Sequence, residues 1–201
     1  MEMAEIHIEP FRKEMIAEAS NVLARAFVTS PLNVAAFGPC QLPRNEAFFR
    51  NGLAIMKGPK LVAMEDARIV GLIHWVESPA CQFSGMEKLR TIPTTLGSLG
   101  LSCAWRLGKW LSIWANHDPR TAHLHLGPIG VDPDAQRSRI GSRLMDEYCH
   151  ALDQTKEAGY LETDRPENVK FYRRLGFETT REVLVLGVRN FLMQRAARST
   201  R

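Results

Sequence analysis

The sequence has few cysteines, and none of them forms a Cys-x-x-Cys pair. The 201 residues include four, Cys40, Cys81, Cys103 and Cys149, and none lies at a metal-ligand interval from a histidine. So few cysteines, without paired spacing, argue against a disulfide framework. We therefore expect reduced thiols in a cytosolic protein, with no metal site and no catalytic cysteine.

An export signal and a long apolar segment are also missing. Residues 1–10 carry acidic side chains where a secretory signal needs basic ones, and no apolar core follows them. Residues 96–115 contain three tryptophans, but their charges and two glycines make them unsuited to span a bilayer or lie on one. We predict a cytoplasmic protein that does not bind a membrane.

No run of basic residues concentrates the positive charge. The 26 Lys and Arg residues exceed the 22 Asp and Glu residues only slightly, and the net charge is +4. This balance suits an anionic cofactor, and we expect no nucleic-acid partner, which would require steeply salt-dependent binding. With 45% hydrophobic and 24% charged residues and no internal repeat or linker, the chain reads as one globular domain.

The first third of the chain alternates between strand and helix patterns. Residues 5–9 alternate as a strand, and residues 15–27 place apolar side chains on one helical face before Ser30-Pro31 ends the helix. A shorter helix is predicted over 48–56, followed by a hairpin of strands over 60–64 and 69–76. We predict a loop over residues 78–93 and a helix over 96–115.

The most informative segment changes from strand to helix within a few residues. A run with strand character over 122–131 ends at Asp132-Pro133, and Ile140, Leu144, Tyr148 and Leu152 then follow at helical spacing. The predicted helix opens over 136–142, where the first backbone N–H groups lack intrahelical partners. Together with the helix dipole and two arginines, these groups favour an anion, most plausibly a phosphate.

A second strand–helix unit follows. We predict a strand over 159–163 and a helix over 166–175 that Gly176 terminates, with a capping box between Asp164 and Glu167. The alternating order implies that this strand lies parallel to the one before it. Two closing strands, 177–188 and 190–194, are expected to join around Gly187.

Both units carry motifs of a known family. The pattern Val131-x-Pro133-x-x-Gln136-x-x-x-x-Gly141-Ser142-x-Leu144 resembles the acetyl-coenzyme A loop of the GNAT N-acetyltransferases, with Arg137 and Arg139 where that loop has glycines. Asn168-x-x-x-Tyr172 followed by Leu175-Gly176-Phe177 resembles the last block of the family. Residues 161–163 and 190–195 resemble puromycin N-acetyltransferase and its relatives most.

The resemblance implies a fold and a division of the chain. It implies a single α/β domain over residues 1–195. This domain would contain a mixed sheet of about six to seven strands flanked by helices. Residues 1–121 would form the N-terminal arm and the acceptor side, 122–176 the cofactor-binding core and 177–195 a C-terminal hairpin. Residues 196–201 would be a tail. The acceptor is expected to be selected by the segment 78–121.

The resemblance also implies acetyl-coenzyme A as co-substrate. The expected cofactor-binding residues are Ile129, Gly130, Val131, Gln136, Arg137, Ser138, Arg139, Ile140, Gly141, Ser142, Asn168 and Tyr172. A side chain at Arg137 or Arg139 crowds the diphosphate, whereas its guanidinium can reach a phosphate directly. The backbone of residues 127–131 would pair with the pantetheine, and Pro128, which has no N–H, is consistent with a local splay of the strand.

Acetyl transfer to an amine needs an acid and a base. The resemblance implies that Tyr172 protonates the departing thiolate, and Glu162 is the first candidate to deprotonate the amine. His123 and His125, on one face of the strand, are the alternative base. The expected acceptor is a primary amine of a small molecule or peptide. A non-catalytic acyl-coenzyme A sensor is the competing interpretation, and a homodimer is compatible with the sequence.

Overall fold

The computed structural model describes residues 6–82 and 85–198. These residues form seven strands: β1 (Ile6–Pro10), β2 (Lys60–Glu65), β3 (Arg68–Glu77), β4 (His123–Val131), β5 (Ala158–Thr163), β6 (Glu178–Val185) and β7 (Val188–Arg195). They also form seven α-helices: α1 (Ile16–Phe27), α2 (Pro31–Phe37), α3 (Leu42–Ile55), α4 (Gly85–Leu99), α5 (Leu101–His117), α6 (Ile140–Thr155) and α7 (Pro166–Arg173). None of these helices is both long and apolar enough to cross a lipid bilayer.

The strands form a single mixed sheet in the order β1-β2-β3-β4-β5-β7-β6. Only the pair β4–β5 is parallel, as the alternating strand–helix order predicted, and the other neighbours are antiparallel. The two sides of the sheet are covered by helices, and β3 is buried continuously between its first and last residues. The predicted α/β fold with about six to seven strands is confirmed.

Helix α6 is the best example of a helix that its own pattern specifies. Ile140, Leu144, Tyr148 and Leu152 are all buried, and they pack in one core cluster with side chains of β3, β4 and α7. Spacing of four residues keeps these side chains on one face, so burying them stabilises both the helix and its contact with the sheet. The hydroxyl of Tyr148 donates to the carbonyl of Leu124, 2.6 Å away, and this bond fixes α6 against β4.

The segment between β3 and β4 differs from its prediction. A loop was predicted over 78–93, but α4 begins at Gly85 and continues through Pro93. The predicted helix over 96–115 is divided at Gly100, whose φ of 77° lies in the left-handed region that glycine adopts easily. Proline and glycine suggested irregular structure here, whereas packing of α4 against α3 and α5 stabilises a helix that local propensity does not favour.

The predicted capping box at the start of α7 is wrong. The N-cap of α7 is Arg165, and its side chain makes no capping hydrogen bond. Asp164 instead accepts hydrogen bonds from Ser30 Oγ at 2.5 Å and from the backbone N–H of Leu32 at 2.7 Å. It therefore caps α2, a helix distant in sequence, because an N-terminal N–H group is satisfied equally well by a carboxylate from another segment.

Candidate active site

The parallel strands β4 and β5 diverge along the middle of the sheet. Their pairing ends at His125 and Tyr160, although β4 continues beside β3 to Val131 and β5 continues beside β7 to Thr163. The register of β3 against β4 shifts between Ile73 and Trp75, opposite the Gly127-Pro128 step. Beyond His125, the side of β4 that faces β5 therefore has no strand partner, which confirms the splay that Pro128 indicated.

A cavity of about 2110 Å³ covers this gap. Strands β4 and β5 and the first turns of α6 and α7 form one part of its lining, and α3, α4 and α5 form another. The lining includes Glu162, Tyr172 and every other predicted site residue except Ser138. His125 also lines the cavity, whereas His123 is buried away from it.

The loop before α6 has an unusual backbone. Arg137 and Arg139 have φ angles of 69° and 59°, in the left-handed region that residues other than glycine rarely adopt. They stand where the GNAT loop has glycines, so the backbone keeps the glycine conformation despite the arginines. Two left-handed residues cannot belong to a right-handed helix, and α6 consequently begins at Ile140 rather than near Arg137 as predicted.

The first turn of α6 presents free N–H groups. The first helical hydrogen bond runs from the N–H of Arg143 to the carbonyl of Arg139, so the N–H groups of Ile140, Gly141 and Ser142 precede the helical ladder. A Cβ at Gly141 would meet only Val131 Cγ2, at an ordinary 3.8 Å. The space beside Gly141 is therefore open, and the absence of a side chain leaves the N–H groups of this first turn accessible.

Arg25 of α1 holds this loop in place. Its guanidinium lies 3.0 Å from Asp132 Oδ2 and 2.7 Å from Asp134 Oδ2, and Asp132 also accepts the N–H of Asp134. The amide of Gln136 donates back to the carbonyl of Val131, 3.2 Å away. These bonds connect the loop to α1 and β4 and stabilise its strained conformation. The motif gave no indication of Arg25, which is more than 100 residues distant.

Asn168 and Tyr172 lie one turn apart on α7, as predicted. The Asn168 amide donates to Thr163 Oγ1 at the end of β5, 3.3 Å away. The Tyr172 ring packs against Phe171 and Phe177, with centroids 5.4 and 6.2 Å away. Burial, with a smaller effect of the Asp164 charge, raises the pKa of Tyr172, so its phenol stays protonated at neutral pH.

His125 lies between two carboxylates beside the gap. Its Nε2 is 2.9 Å from Glu162 Oε2, and its Nδ1 is 3.1 Å from Asp118 Oδ1. Burial opposes a charge on the imidazole, but Glu162 and Asp118 together raise the pKa of His125 well above its ordinary value. The second carboxylate oxygen of Glu162 is buried and has no hydrogen-bond partner among the described residues.

Two further side chains complete this polar group. The thiol of Cys81 donates to Asp118 Oδ2 at 3.5 Å, and His123 Nε2 lies 3.4 Å from Asp118 Oδ1. No motif or spacing selects Asp118 or Cys81, because the residues that each one contacts lie in other segments of the chain. Folding brings Cys81 beside two histidines, so the spacing argument against a metal site no longer holds.

His74 of β3 is another cavity residue that sequence reasoning missed. Its Nε2 is 2.5 Å from the carbonyl of Lys57, and its Nδ1 is buried with no hydrogen-bond partner in the described part of the chain. A Cβ at position 127 would clash with this Nδ1, so Gly127 is the residue that admits His74 here. Burial is the main cause that lowers the pKa of His74 to about 4.

This shift predicts a loss of stability in mild acid. The unfolded chain binds a proton at His74 below about pH 6.5, whereas the folded chain does so only near pH 4. The contribution is therefore present above pH 6.5 and lost as the pH falls towards 4. We expect His74→Gln to reduce by about 2 kcal/mol the drop in unfolding free energy between pH 7 and pH 5, measured by denaturant titration. The same drop in both proteins would contradict the burial of a neutral His74.

Residues 104–179 match the family model described as an acetyltransferase (GNAT) domain. The structure is similar to a crystal structure from Corynebacterium glutamicum, described as histone acetyltransferase HPA2 and related acetyltransferase. The TM-score is 0.74 and the sequence identity 18%, over 97% of this chain and 98% of the Corynebacterium chain. The structure is also similar to arylalkylamine N-acetyltransferase 2 from Aedes aegypti, with a TM-score of 0.69, 14% identity and coverage of 96% and 99%.

One similar structure carries the acetyl donor. A GNAT family acetyltransferase from Brucella melitensis, in complex with acetyl-CoA, matches with a TM-score of 0.54 and 20% identity over 98% of this chain and 90% of the other. At these identities the neighbours establish the fold that the motifs predicted.

Proposed function

We propose that the chain is an acetyltransferase of the GNAT type and that it transfers the acetyl group of acetyl-coenzyme A to a primary amine by direct attack. The family model over residues 104–179 and the structural neighbours support this proposal. One observation carries the proposal. The gap between β4 and β5, the open first turn of α6, Glu162 and Tyr172 all line one cavity. A single cavity allows donor and acceptor to meet, and bringing them together is itself a large part of catalysis.

The donor is proposed to lie along the gap. Its diphosphate would accept hydrogen bonds from the N–H groups of Ile140, Gly141 and Ser142, with the guanidinium groups of Arg137 and Arg139 adding charge. Its pantetheine would pair with the unpartnered backbone of residues 127–131. The thioester would then lie beside Ile129, within the part of the cavity that Glu162 and Tyr172 also line.

The acceptor must lose a proton before it attacks. An alkylamine of pKa near 10.4 is neutral in only about one molecule in 2,500 at pH 7, so the site must remove the proton itself. Glu162 is the proposed base, directly or through water, because it lines the same cavity as Tyr172. His125 Nε2 lies 2.9 Å from Glu162 Oε2, so this histidine can orient the carboxylate, and the nitrogen in that contact is not available to accept the amine proton.

Apolar side chains on α4 and α5 suggest the body of the acceptor. Ile92, Leu96, Leu101 and Trp105 line the cavity and remain exposed. An amine with an aromatic or aliphatic body would cover such side chains favourably. The similar Aedes aegypti protein is described as an arylalkylamine N-acetyltransferase. The puromycin-like motifs make aminonucleosides a second class to test, and peptide N-termini a third.

One observation favours the alternative of a sensor. The GNAT loop that this segment resembles has glycines where Arg137 and Arg139 stand here, and these two side chains would crowd the diphosphate of the donor. Isothermal titration with acetyl-coenzyme A, together with thiol release in the presence of arylalkylamines, aminonucleosides and peptides, separates the two functions. Turnover with any of these amines supports the transferase. Binding without turnover for every amine favours the sensor, and absence of binding rejects both.

Replacing Gly141 by valine tests where the diphosphate binds. We expect the affinity for acetyl-coenzyme A to fall at least about tenfold, because a branched side chain at the first turn of α6 displaces the phosphates from the N–H groups. The added Cβ has open space in the protein itself, so the melting temperature should change little. Calorimetry measures the affinity.

The matched control is Gly97→Val on α4. Nothing lies within 4 Å of a Cβ at Gly97, and this residue does not line the cavity. Its affinity for acetyl-coenzyme A should equal that of the unmodified protein. Equal affinity in the Gly141 variant would contradict the placement of the diphosphate at α6.

A further inference from the structure

Four potential metal ligands converge beside the acceptor end of the cavity. They are Cys81 in the turn after β3, Asp118 at the C-terminal end of α5, and His123 and His125 on β4. One ligand atom from each lies within 4.8 Å of every other. Residues from three separate segments thus present a thiol, two imidazoles and a carboxylate to one point.

The separations of these atoms fit a tetrahedral ion. Ligand distances of about 2.0–2.1 Å for nitrogen and oxygen and about 2.3 Å for sulfur place neighbouring ligand atoms roughly 3.3–3.6 Å apart. Asp118 Oδ1 lies 3.1 Å from His125 Nδ1 and 3.4 Å from His123 Nε2, and Oδ2 lies 3.5 Å from Cys81 Sγ. These separations from the carboxylate are close to those of ligands that share one ion, and the side chains would adjust where the remaining separations are wider.

In each histidine, the ring nitrogen that points away from the cluster already lies at hydrogen-bond distance from an oxygen atom. His123 Nδ1 lies 2.8 Å from the carbonyl of Thr121, and His125 Nε2 lies 2.9 Å from Glu162. Metal-bound histidines almost always donate their second N–H group in this way, which directs the free lone pair at the metal. In both residues the nitrogen that remains is the one that faces Cys81 and Asp118.

His123 supplies an independent observation. Its side chain is 1% exposed, and its Nε2 lies 3.4 Å from Asp118 Oδ1 without the geometry of a hydrogen bond. A buried polar atom without a partner costs free energy unless something satisfies it. Gln82 donates to Asp118 Oδ2 at 2.9 Å, so the carboxylate is held with its other oxygen towards this imidazole.

We propose that Cys81, Asp118, His123 and His125 bind one divalent transition-metal ion, Zn²⁺ in preference to Mg²⁺ or Ca²⁺. A thiolate and two imidazoles suit Zn²⁺ or Co²⁺, whereas Mg²⁺ and Ca²⁺ prefer oxygen ligands. This proposal reverses the expectation of no metal, which rested on sequence spacing. It does not depend on the proposed acetyl transfer.

The site would be structural, with an effect on the neighbouring base. Four protein ligands complete a tetrahedron and leave no position for a reacting group. The ion would tie the turn after β3 and the end of α5 to β4, next to the helices that wall the acceptor region. The charges of the Cys81 thiolate and Asp118 would balance Zn²⁺, so Glu162 would keep its own negative charge while it accepts the N–H of a neutral His125.

Metal content and the spectrum of Co²⁺ test the proposal without acetyl-coenzyme A or an amine. The untagged full chain is stripped with a chelator, incubated with Zn²⁺ or Co²⁺, desalted and analysed by mass spectrometry of the metal. We expect about one equivalent of Zn²⁺. We also expect Co²⁺ to give a thiolate-to-cobalt charge-transfer band and the visible bands of tetrahedral coordination. With free Zn²⁺ near 100 times its dissociation constant, the melting temperature should rise by about 5–10 °C.

Variants assign the ligands. Cys81→Ser should abolish the charge-transfer band and lower Zn²⁺ affinity at least about 100-fold, and His123→Gln should lower the affinity similarly. Cys40→Ser, at an exposed cysteine outside the cluster, is the matched control and should bind like the original chain. Should His123→Gln fail to fold, Cys81→Ser, in a turn that is only partly buried, still decides the question.

Three results would overturn the proposal: less than about 0.1 equivalent of Zn²⁺ after desalting, a Co²⁺ complex without the thiolate band, or unchanged Zn²⁺ affinity in Cys81→Ser. The cluster would then be a hydrogen-bonded group of imidazoles and carboxylates alone. Because these readouts involve neither donor nor acceptor, their failure is distinct from a failure of acetyl transfer.

Discussion

Tyr172→Phe is expected to lower kcat for acetyl transfer about 10²-fold or more, while the affinity for acetyl-coenzyme A stays within about twofold of the original. The departing group is a thiolate, and a proton donor beside the sulfur stabilises it as the carbon–sulfur bond breaks. Tyr172 lines the cavity, and its raised pKa keeps the hydroxyl protonated. Phenylalanine retains the ring packing with Phe171 and Phe177 and removes only that hydroxyl.

Tyr148→Phe is the matched control for this prediction. It also removes one phenolic hydroxyl, but Tyr148 is fully buried on the side of α6 that faces the sheet, and it does not line the cavity. The lost bond to the carbonyl of Leu124 should cost about 1–2 kcal/mol of stability and leave kcat unchanged well below the melting temperature. Thiol release under saturating donor and acceptor measures kcat. Unchanged turnover in Tyr172→Phe would exclude this tyrosine as the acid.

Glu162→Gln is expected to lower kcat/KM for the amine about 10²-fold at pH 7. The amide has the same size and can still accept the N–H of His125, but it cannot take a proton from the acceptor. The loss of kcat/KM should become smaller as the pH approaches the pKa of the amine, because the solution then contains more of the neutral amine. Such a pH-dependent rescue is not expected if Glu162 only supports the fold.

The control is Glu182→Gln on β6, whose side chain is 49% exposed and pairs loosely with Arg189 at 3.7 Å. It should leave the pH–rate profile unchanged. His125→Gln separates the two candidate bases. If this variant loses more activity than Glu162→Gln and shows the pH-dependent rescue instead, the histidine is the base and the assignment to Glu162 is wrong.

Local patterns explain why much of the fold could be predicted. The alternation in β1, the apolar runs of β2 and β3, the four-residue spacing in α6 and the left-handed Gly176 after α7 are all properties of adjacent residues. The same holds for the turn between β6 and β7, where Leu186 and Gly187 have φ angles of 51° and 81°. Two consecutive positive angles are typical of a two-residue hairpin turn, and Gly187 marked its place in the sequence.

The site was predictable only in part. Positions from β4 to α7 indicated the cofactor loop, Glu162 and Tyr172, and every predicted site residue except Ser138 lines one cavity. Ser138 lies between Arg137 and Arg139, which both have left-handed φ angles. Asp118, Cys81, His74 and Arg25 carry no local signal, since each acts through a partner from another segment.

The sequence by itself determined the order of the seven strands, the places of α1, α3, α6 and α7, and the motifs that indicate an acetyltransferase, because each depends on residues close together in the chain. Only the tertiary structure decided that a helix with an internal proline replaces the expected loop, that Asp164 caps α2, and that a thiol, a carboxylate and two imidazoles meet beside Glu162. Contacts between residues tens of positions apart gain their free energy only when the whole sheet and its helices assemble, so no local pattern records them.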